Sequence, residues 1–189
     1  SHPTAIGVAF GVQNYTCSKN NNFTSAGAVA QLYDISCLYR SSPTLFGTIQ
    51  EPIYKAWVNI SNEITVQQVT AVIPALLSPE IIEADHYFIP NAAGTGLSPV
   101  WDFRATQRFR DKPDAIFVGK GEASVAPPDD PSKNVNWLRV GKVAGSIADE
   151  VYRIDTIGGQ PPTSCTSGQT KDISVRYVSQ YWFFGGSLS

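Results

Sequence analysis

The chain has no methionine, two histidines and three cysteines in 189 residues, and charged residues make up only 16% of it. Soluble domains usually carry about 25%, so its polar surface must come from Ser, Thr, Asn and Gln, or from sugars attached to them. Lys and Arg number 14 against 16 Asp and Glu. This balance excludes a nucleic-acid or anionic-membrane binder that works through bulk charge. Long apolar runs are also missing: the best, Ala71 to Leu77, is interrupted by Pro74 and falls well short of the roughly 20 residues a membrane span needs. No Cys-x-x-Cys or Cys/His spacing is present, so no metal site is expected, and no cofactor is implied. Gly-x-Ser-x-Gly is absent, and with it any recognisable nucleophile triad. What remains is 42% hydrophobic residues, enough to bury a real core in one domain spanning residues 1–189.

Three N-x-Ser/Thr sequons occur, at Asn14, Asn22 and Asn59. Together with the missing methionine, which suits a mature chain trimmed of a signal peptide, they lead to the expectation of a secreted, extracellular glycoprotein. Three cysteines allow one intramolecular disulfide. A Cys17–Cys165 bridge would tie the first strand to the last third of the chain and leave Cys37 as a small buried hydrophobe. Pairing of Cys37 with either of the others is the alternative.

Ile6-Gly7-Val8-Ala9-Phe10-Gly11-Val12 sets large apolar residues at every second position with Gly or Ala between them. That is the period of a strand with one face on the core, and its small face suggests close contact with another layer. Further strands are expected at Ala28–Tyr33, His86–Ile89, Val100–Phe103, Ala115–Gly119, Trp137–Val140, Glu150–Ile154 and Ser174–Phe184. Both faces of the last are heavy with aromatic and branched residues. Residues 40–52, with Pro43, Gly47 and Pro52, read as loop. Val66, Val69 and Ile73 recur at helical steps, so a short helix is expected there, capped by Ser61 and stopped by Pro74. The sum is an all-β fold, a single antiparallel β-sandwich or barrel with at most one or two short helices.

Several blocks resemble one family along almost the whole chain. They are Gly11-Val12-Gln13-Asn14-Tyr15-Thr16-Cys17, His86-Tyr87-Phe88 followed by Ser98-Pro99-x-Trp101-Asp102-Phe103, Asn136-Trp137-Leu138, Val151-Tyr152-Arg153-x-Asp155-Thr156-x-Gly158-Gly159-x-Pro161-Pro162-x-x-Cys165, and Tyr177-x-x-x-Tyr181-Trp182-Phe183. This pattern resembles the DUF3455 family of secreted fungal and bacterial proteins. The resemblance implies an extracellular fungal origin and a cysteine pair matching Cys17 and Cys165. It implies no established activity. Some fungal members are labelled malate dehydrogenase, but Gly94-Thr95-Gly96 and Gly119-Lys120-Gly121 lack the third glycine and following helix of a dinucleotide site. The label is therefore rejected.

With His2 at the terminus, His86 is the one internal acid, base or ligand histidine. If the strands around residues 90–98 form a hairpin, His86 and Asp102 fall near opposite positions, and a carboxylate there could orient the imidazole. His86 with Asp85 or Asp102 would then serve a polysaccharide-active hydrolase or lyase. Asp149, Glu150 and Asp155 also lie near strand ends, so a glycosidase-like carboxylate pair stays open. Arg153 and Asp155, two residues apart, are expected to form a salt bridge bracing the Gly158-Gly159 turn. The basic stretch Arg104–Lys112 reads as a solvated loop. The leading expectation is a protein that binds polysaccharide or cell-wall glycan without catalysis, through a groove lined by aromatics such as Trp101, Trp57 and Tyr87. Trp57 is the tryptophan expected to stand clear of the core, beside the Asn59 sequon.

Overall fold

The computed structural model describes residues 2–76 and 82–186. Eight strands follow in order: β1 (Pro3–Cys17), β2 (Phe23–Asp34), β3 (Ile82–Pro90), β4 (Leu97–Asp102), β5 (Ile116–Val125), β6 (Trp137–Gly145), β7 (Glu150–Gly158) and β8 (Ile173–Phe184). Each pairs antiparallel with the next, and β8 returns to β1 to close a barrel. The all-β antiparallel fold is thus observed, in its barrel form. Closure gives each strand a neighbour on both sides, with the β4–β5 contact confined to Val100–Asp102 against Ile116–Val118. The described residues contain no βαβ unit.

Pleating gives β1 two unlike faces, and each packs against a different core. Gly7, Ala9 and Gly11 line the lumen, where Tyr177, Tyr181 and Phe183 of the adjacent β8 occupy the space. Small residues on one strand make room for large ones on its neighbour, as small barrels require. Ile6, Val8 and Phe10 point outward and form a second core with Tyr33, Ile35, Phe46, Trp57, Val66 and Val178. A Cβ on Gly11 would lie 2.1 Å from the Val29 carbonyl oxygen and 2.5 Å from the Ala30 Cβ. Gly11→Ala is therefore expected to destabilise the protein by about 1–3 kcal/mol through overpacking, read as a lower urea midpoint.

The outer core is covered by a helical segment between β2 and β3: α1 (Ser36–Ser41), α2 (Pro43–Thr48), α3 (Gln50–Asn59) and α4 (Val66–Leu76). Helix is thus more extensive than the pattern predicts, and the stretch expected to be loop is largely helical. Its prolines sit where helices tolerate them: Pro43 opens α2, and Pro52 lies in the first turn of α3, where backbone N–H groups lack intrahelical partners. The helix expected near Val66 forms, but Thr65 rather than Ser61 caps it. The Thr65 Oγ1 accepts from the Gln68 N–H (3.2 Å) and the Gln68 Oε1 accepts from the Thr65 N–H (2.8 Å), a reciprocal capping box. The helix continues past Pro74 to Leu76.

Cys17 and Cys165 are disulfide-bonded, and Cys37 is a free, exposed thiol rather than a buried hydrophobe. The Arg153–Asp155 salt bridge does not form. The β7–β8 register shifts between Ile154 and Ile157, and Asp155 sits there at φ 49°, so the two side chains leave the strand in different directions. Arg153 turns inward and donates from Nε (3.0 Å) and Nη2 (2.7 Å) to the Asn136 carbonyl. The Gly158-Gly159 turn is held instead by the Tyr15 hydroxyl, which donates to the Gly159 carbonyl (2.7 Å), and by the Asn134 Oδ1, which accepts from the Gly158 N–H (2.8 Å). Gly158 has φ +74°, and a Cβ there would stand 2.5 Å from the Tyr54 ring.

Candidate functional site

The β3–β4 hairpin carries most of the residues singled out from the sequence, and its register decides what they can do. Asp85 faces Asp102, and His86 faces Trp101. The hairpin is offset by one residue from the pairing that sets His86 opposite Asp102, and one residue inverts every side chain. His86 and Trp101 point into the lumen, while Asp85 and Asp102 lie on the outer face.

His86 is 3% exposed and stacks on Trp101 with ring centroids 4.2 Å apart. Its Nδ1 lies 2.7 Å from the Val100 carbonyl oxygen. A carbonyl only accepts, so Nδ1 carries the proton of the neutral ring. Burial pushes the imidazole pKa down to about 3; the Val100 hydrogen bond opposes that shift, and the nearby Arg153 charge adds to it. A neutral ring enclosed in the barrel and bonded to backbone meets neither carboxylate. The His86–Asp85 and His86–Asp102 pairings are therefore absent, and with them the acid–base centre expected from the sequence.

On the outer face, Arg104 grips Asp102 through Nη2 (2.6 Å), Nε (2.8 Å) and its backbone N–H (3.1 Å), and the Tyr87 hydroxyl donates to the same carboxylate (3.0 Å). The Arg104 hydrogen bonds hold the Asp102 carboxyl below the usual range. Asp85 moves the other way. Burial first, then the Asp102 charge, raise it, against the hydrogen bond from the Gln31 amide (3.0 Å). Both Asp102 oxygens are committed to Arg104 and Tyr87, which suits an organising role. Lys142 and Arg139 likewise pair with Asp149 and Glu150. Among the described residues, no group of three or more His, Cys, Asp or Glu is arranged to hold a metal ion.

Trp101 is 2% exposed and Trp57 3% exposed, so neither presents a ring face to a glycan. Trp57 is not a loop residue. It lies on α3 and donates from Nε1 to the Gly11 carbonyl (2.8 Å). Arg176 covers its ring at 4.2 Å and donates to the Trp57, Ile60 and Ser61 carbonyls, satisfying the C-terminal end of α3. Tyr87 is half-buried and committed to Asp102. Trp101 is held by packing: its Nε1 is buried without a hydrogen-bond partner. Trp101→Phe is thus expected to cost about 1–3 kcal/mol, from the cavity left among the rings packed on Trp101 and with no hydrogen bond lost; thermal unfolding measures it.

The aromatic groove lies elsewhere, on the outer face of β7 and β8. Glu150, Tyr152, Ile154, Trp182 and Phe184 line a groove of about 380 Å³. Tyr152 pairs with Trp182 and Glu150 with Phe184, so period two places all of them on one side of the sheet. The Trp182 and Phe184 ring centroids lie 6.4 Å apart with their planes 21° from parallel, and Tyr152 stands edge-on to Phe184. Glu150 accepts from the Tyr152 hydroxyl (2.8 Å) and pairs with Arg139. The alternation Glu150-x-Tyr152-x-Ile154 and Trp182-x-Phe184 carries the signal that could have located this groove.

These features define a closed antiparallel barrel whose described grooves lie on the outer wall. A family model described as "Protein of unknown function (DUF3455)" matches residues 1–185, and the chain belongs to that family. No curated protein and no solved structure matches the chain.

Proposed function

We propose that the protein is a secreted binding module that takes a carbohydrate chain along the β7–β8 groove, without catalysing its cleavage. One observation carries this reading: two near-parallel aromatic rings beside a carboxylate–guanidinium pair. Pyranose rings offer apolar C–H faces to stacked aromatics, and their hydroxyls need donors and acceptors at the edge. Trp182 and Phe184 supply the faces, with Glu150 and Arg139 at the edge. The partner class is cell-wall or other polysaccharide, as expected from the sequence, while the residues differ from Trp57, Trp101 and Tyr87.

The test is retention on a panel of insoluble polysaccharides. Trp182→Ala combined with Phe184→Ala is expected to weaken retention at least about tenfold, equivalent to roughly 1.4 kcal/mol, while Trp101→Phe behaves as the parent. Failure of the parent protein on every polysaccharide would end the proposal.

Secretion is supported by the disulfide and by the position of the sequons. Asn22, in the β1–β2 connection, and Asn59, at the end of α3, are exposed. Asn14 is half-buried within β1, pairs with Ser174 of β8 beside the β1–β2 register shift, and its Oδ1 accepts from the Ser174 hydroxyl (2.7 Å). Expression through a eukaryotic secretory pathway is expected to place glycans on Asn22 and Asn59 and leave Asn14 bare, as peptide mass spectrometry would read.

A further inference from the structure

Between the helical cover and the barrel wall lies a second space, of about 500 Å³. Its floor is the outer face of β1 and β2, where Val8, Phe10 and Tyr33 emerge, and its roof is Leu38 of α1 with Ile53 and Trp57 of α3. The polar ends of its aromatic walls are already used: the Trp57 Nε1 on the Gly11 carbonyl and the Tyr33 hydroxyl on the Gln31 amide oxygen. What faces the space is almost wholly hydrocarbon. Protein interiors close-pack, and an apolar-walled space of this size gives water nothing to bond. Asp34, Cys37 and Ala56 are the exposed members of its wall, which puts the mouth beside them. Among the described residues, Asp34 brings the only carboxylate to the lining and has one oxygen on the Ser36 N–H (2.7 Å).

We infer that this space is a binding site for a long-chain aliphatic molecule with an uncharged polar head. The chain lies against Phe10, Ile53 and Trp57, and the head rests in water at the mouth. Asp34 disfavours a carboxylate head there, so a long-chain alcohol or neutral ester binds better than the fatty acid of equal length. The site is separate from the β7–β8 groove and does not depend on the carbohydrate reading.

The probe is 1-dodecanol, with dodecanoate as its charged counterpart, titrated by calorimetry against the full chain. Dodecanol is expected to bind at one site and dodecanoate about tenfold more weakly. Ala56 is exposed on α3, so Ala56→Trp narrows the mouth without entering a core and is expected to lower dodecanol affinity about tenfold. The unmodified protein gives an independent readout: alkylation of the Cys37 thiol slows in proportion to the occupied fraction. Phe184→Ala, in the β7–β8 groove and outside the cluster beneath the helices, leaves dodecanol binding unchanged, which separates this site from the glycan groove. The inference is overturned if dodecanol does not bind, if Cys37 alkylation is indifferent to it, if Ala56→Trp binds it as tightly as the parent, or if dodecanoate binds equally well.

Discussion

Replacing Cys17 and Cys165 by serine is expected to lower the free energy of unfolding by about 4–5 kcal/mol, because the bridge closes a loop between residues 148 apart in sequence. The effect acts chiefly on the unfolded chain, whose ends the bridge holds together. In the folded protein the partner segments stay docked by other means: the Cys165 N–H donates to the Asn21 carbonyl (3.0 Å) and the Ser167 N–H to the Asn21 side chain (2.8 Å). Native contacts should thus survive while the unfolded ensemble expands. Urea unfolding checks this in two ways. The midpoint falls, and the slope m rises because more surface is exposed on unfolding. The comparison belongs in a Cys37→Ser background, since a free exposed thiol can exchange with the bridge. That substitution alone is expected to stay within about 0.5 kcal/mol. An unchanged midpoint in the double serine variant would refute the account.

The strands were legible because period two survives locally in almost every one of them, and β1 declares itself in seven residues. Which face of β1 points inward was not legible. An amphipathic strand is expected to bury its large side, and Ile6, Val8 and Phe10 are indeed buried, but under helices. The lumen takes the glycines and alanines because β8 fills it with Tyr177, Tyr181 and Phe183. That exchange of volume is a pairing between the first and last strands, which local pattern cannot announce. Helices α1 to α3 were missed for a related reason. Pro43 and Pro52 read as breakers, yet a proline in a first turn loses no hydrogen bond. The helix expected near Val66 starts instead at the Thr65-x-x-Gln68 box, a reciprocal cap four residues past Ser61. At the hairpin, the identity of the residues was visible and the register was not. A shift of one position moved His86 from beside a carboxylate to the inside of a barrel. Trp57 looked exposed only because its neighbourhood looked like loop.

His86 should make the protein acid-labile. In the unfolded chain a histidine titrates near pH 6.5, whereas in the folded barrel its pKa is pushed down to about 3, mainly by burial. Between these values the unfolded chain takes up a proton that the folded one refuses. The contribution of His86 to stability is therefore complete above about pH 6.5 and is lost as pH falls. The loss is about 2 kcal/mol between pH 7 and pH 5 and about 4 kcal/mol by pH 3. The carboxylates act in both directions. Asp102, Asp149 and Glu150 are held below their usual range by Arg104, Lys142, and Tyr152 with Arg139, so their stabilisation also falls away in acid. Asp85 and Asp155 are raised by burial, and their protonation favours the folded state as pH drops. Comparison of the wild type with His86→Asn from pH 7 to pH 5 isolates the His86 contribution, because the carboxylates are common to both proteins. Urea unfolding across that interval should show the wild type losing stability and His86→Asn losing much less, whatever the cost of the substitution at pH 7. Nitrogen chemical shifts should keep the His86 ring in one neutral tautomer throughout, with Nδ1 protonated toward Val100. Equal pH slopes for the two proteins would mean that the imidazole reaches water, and that the lumen is wetter than its packing of Trp101, Tyr181 and Phe88 around the ring requires.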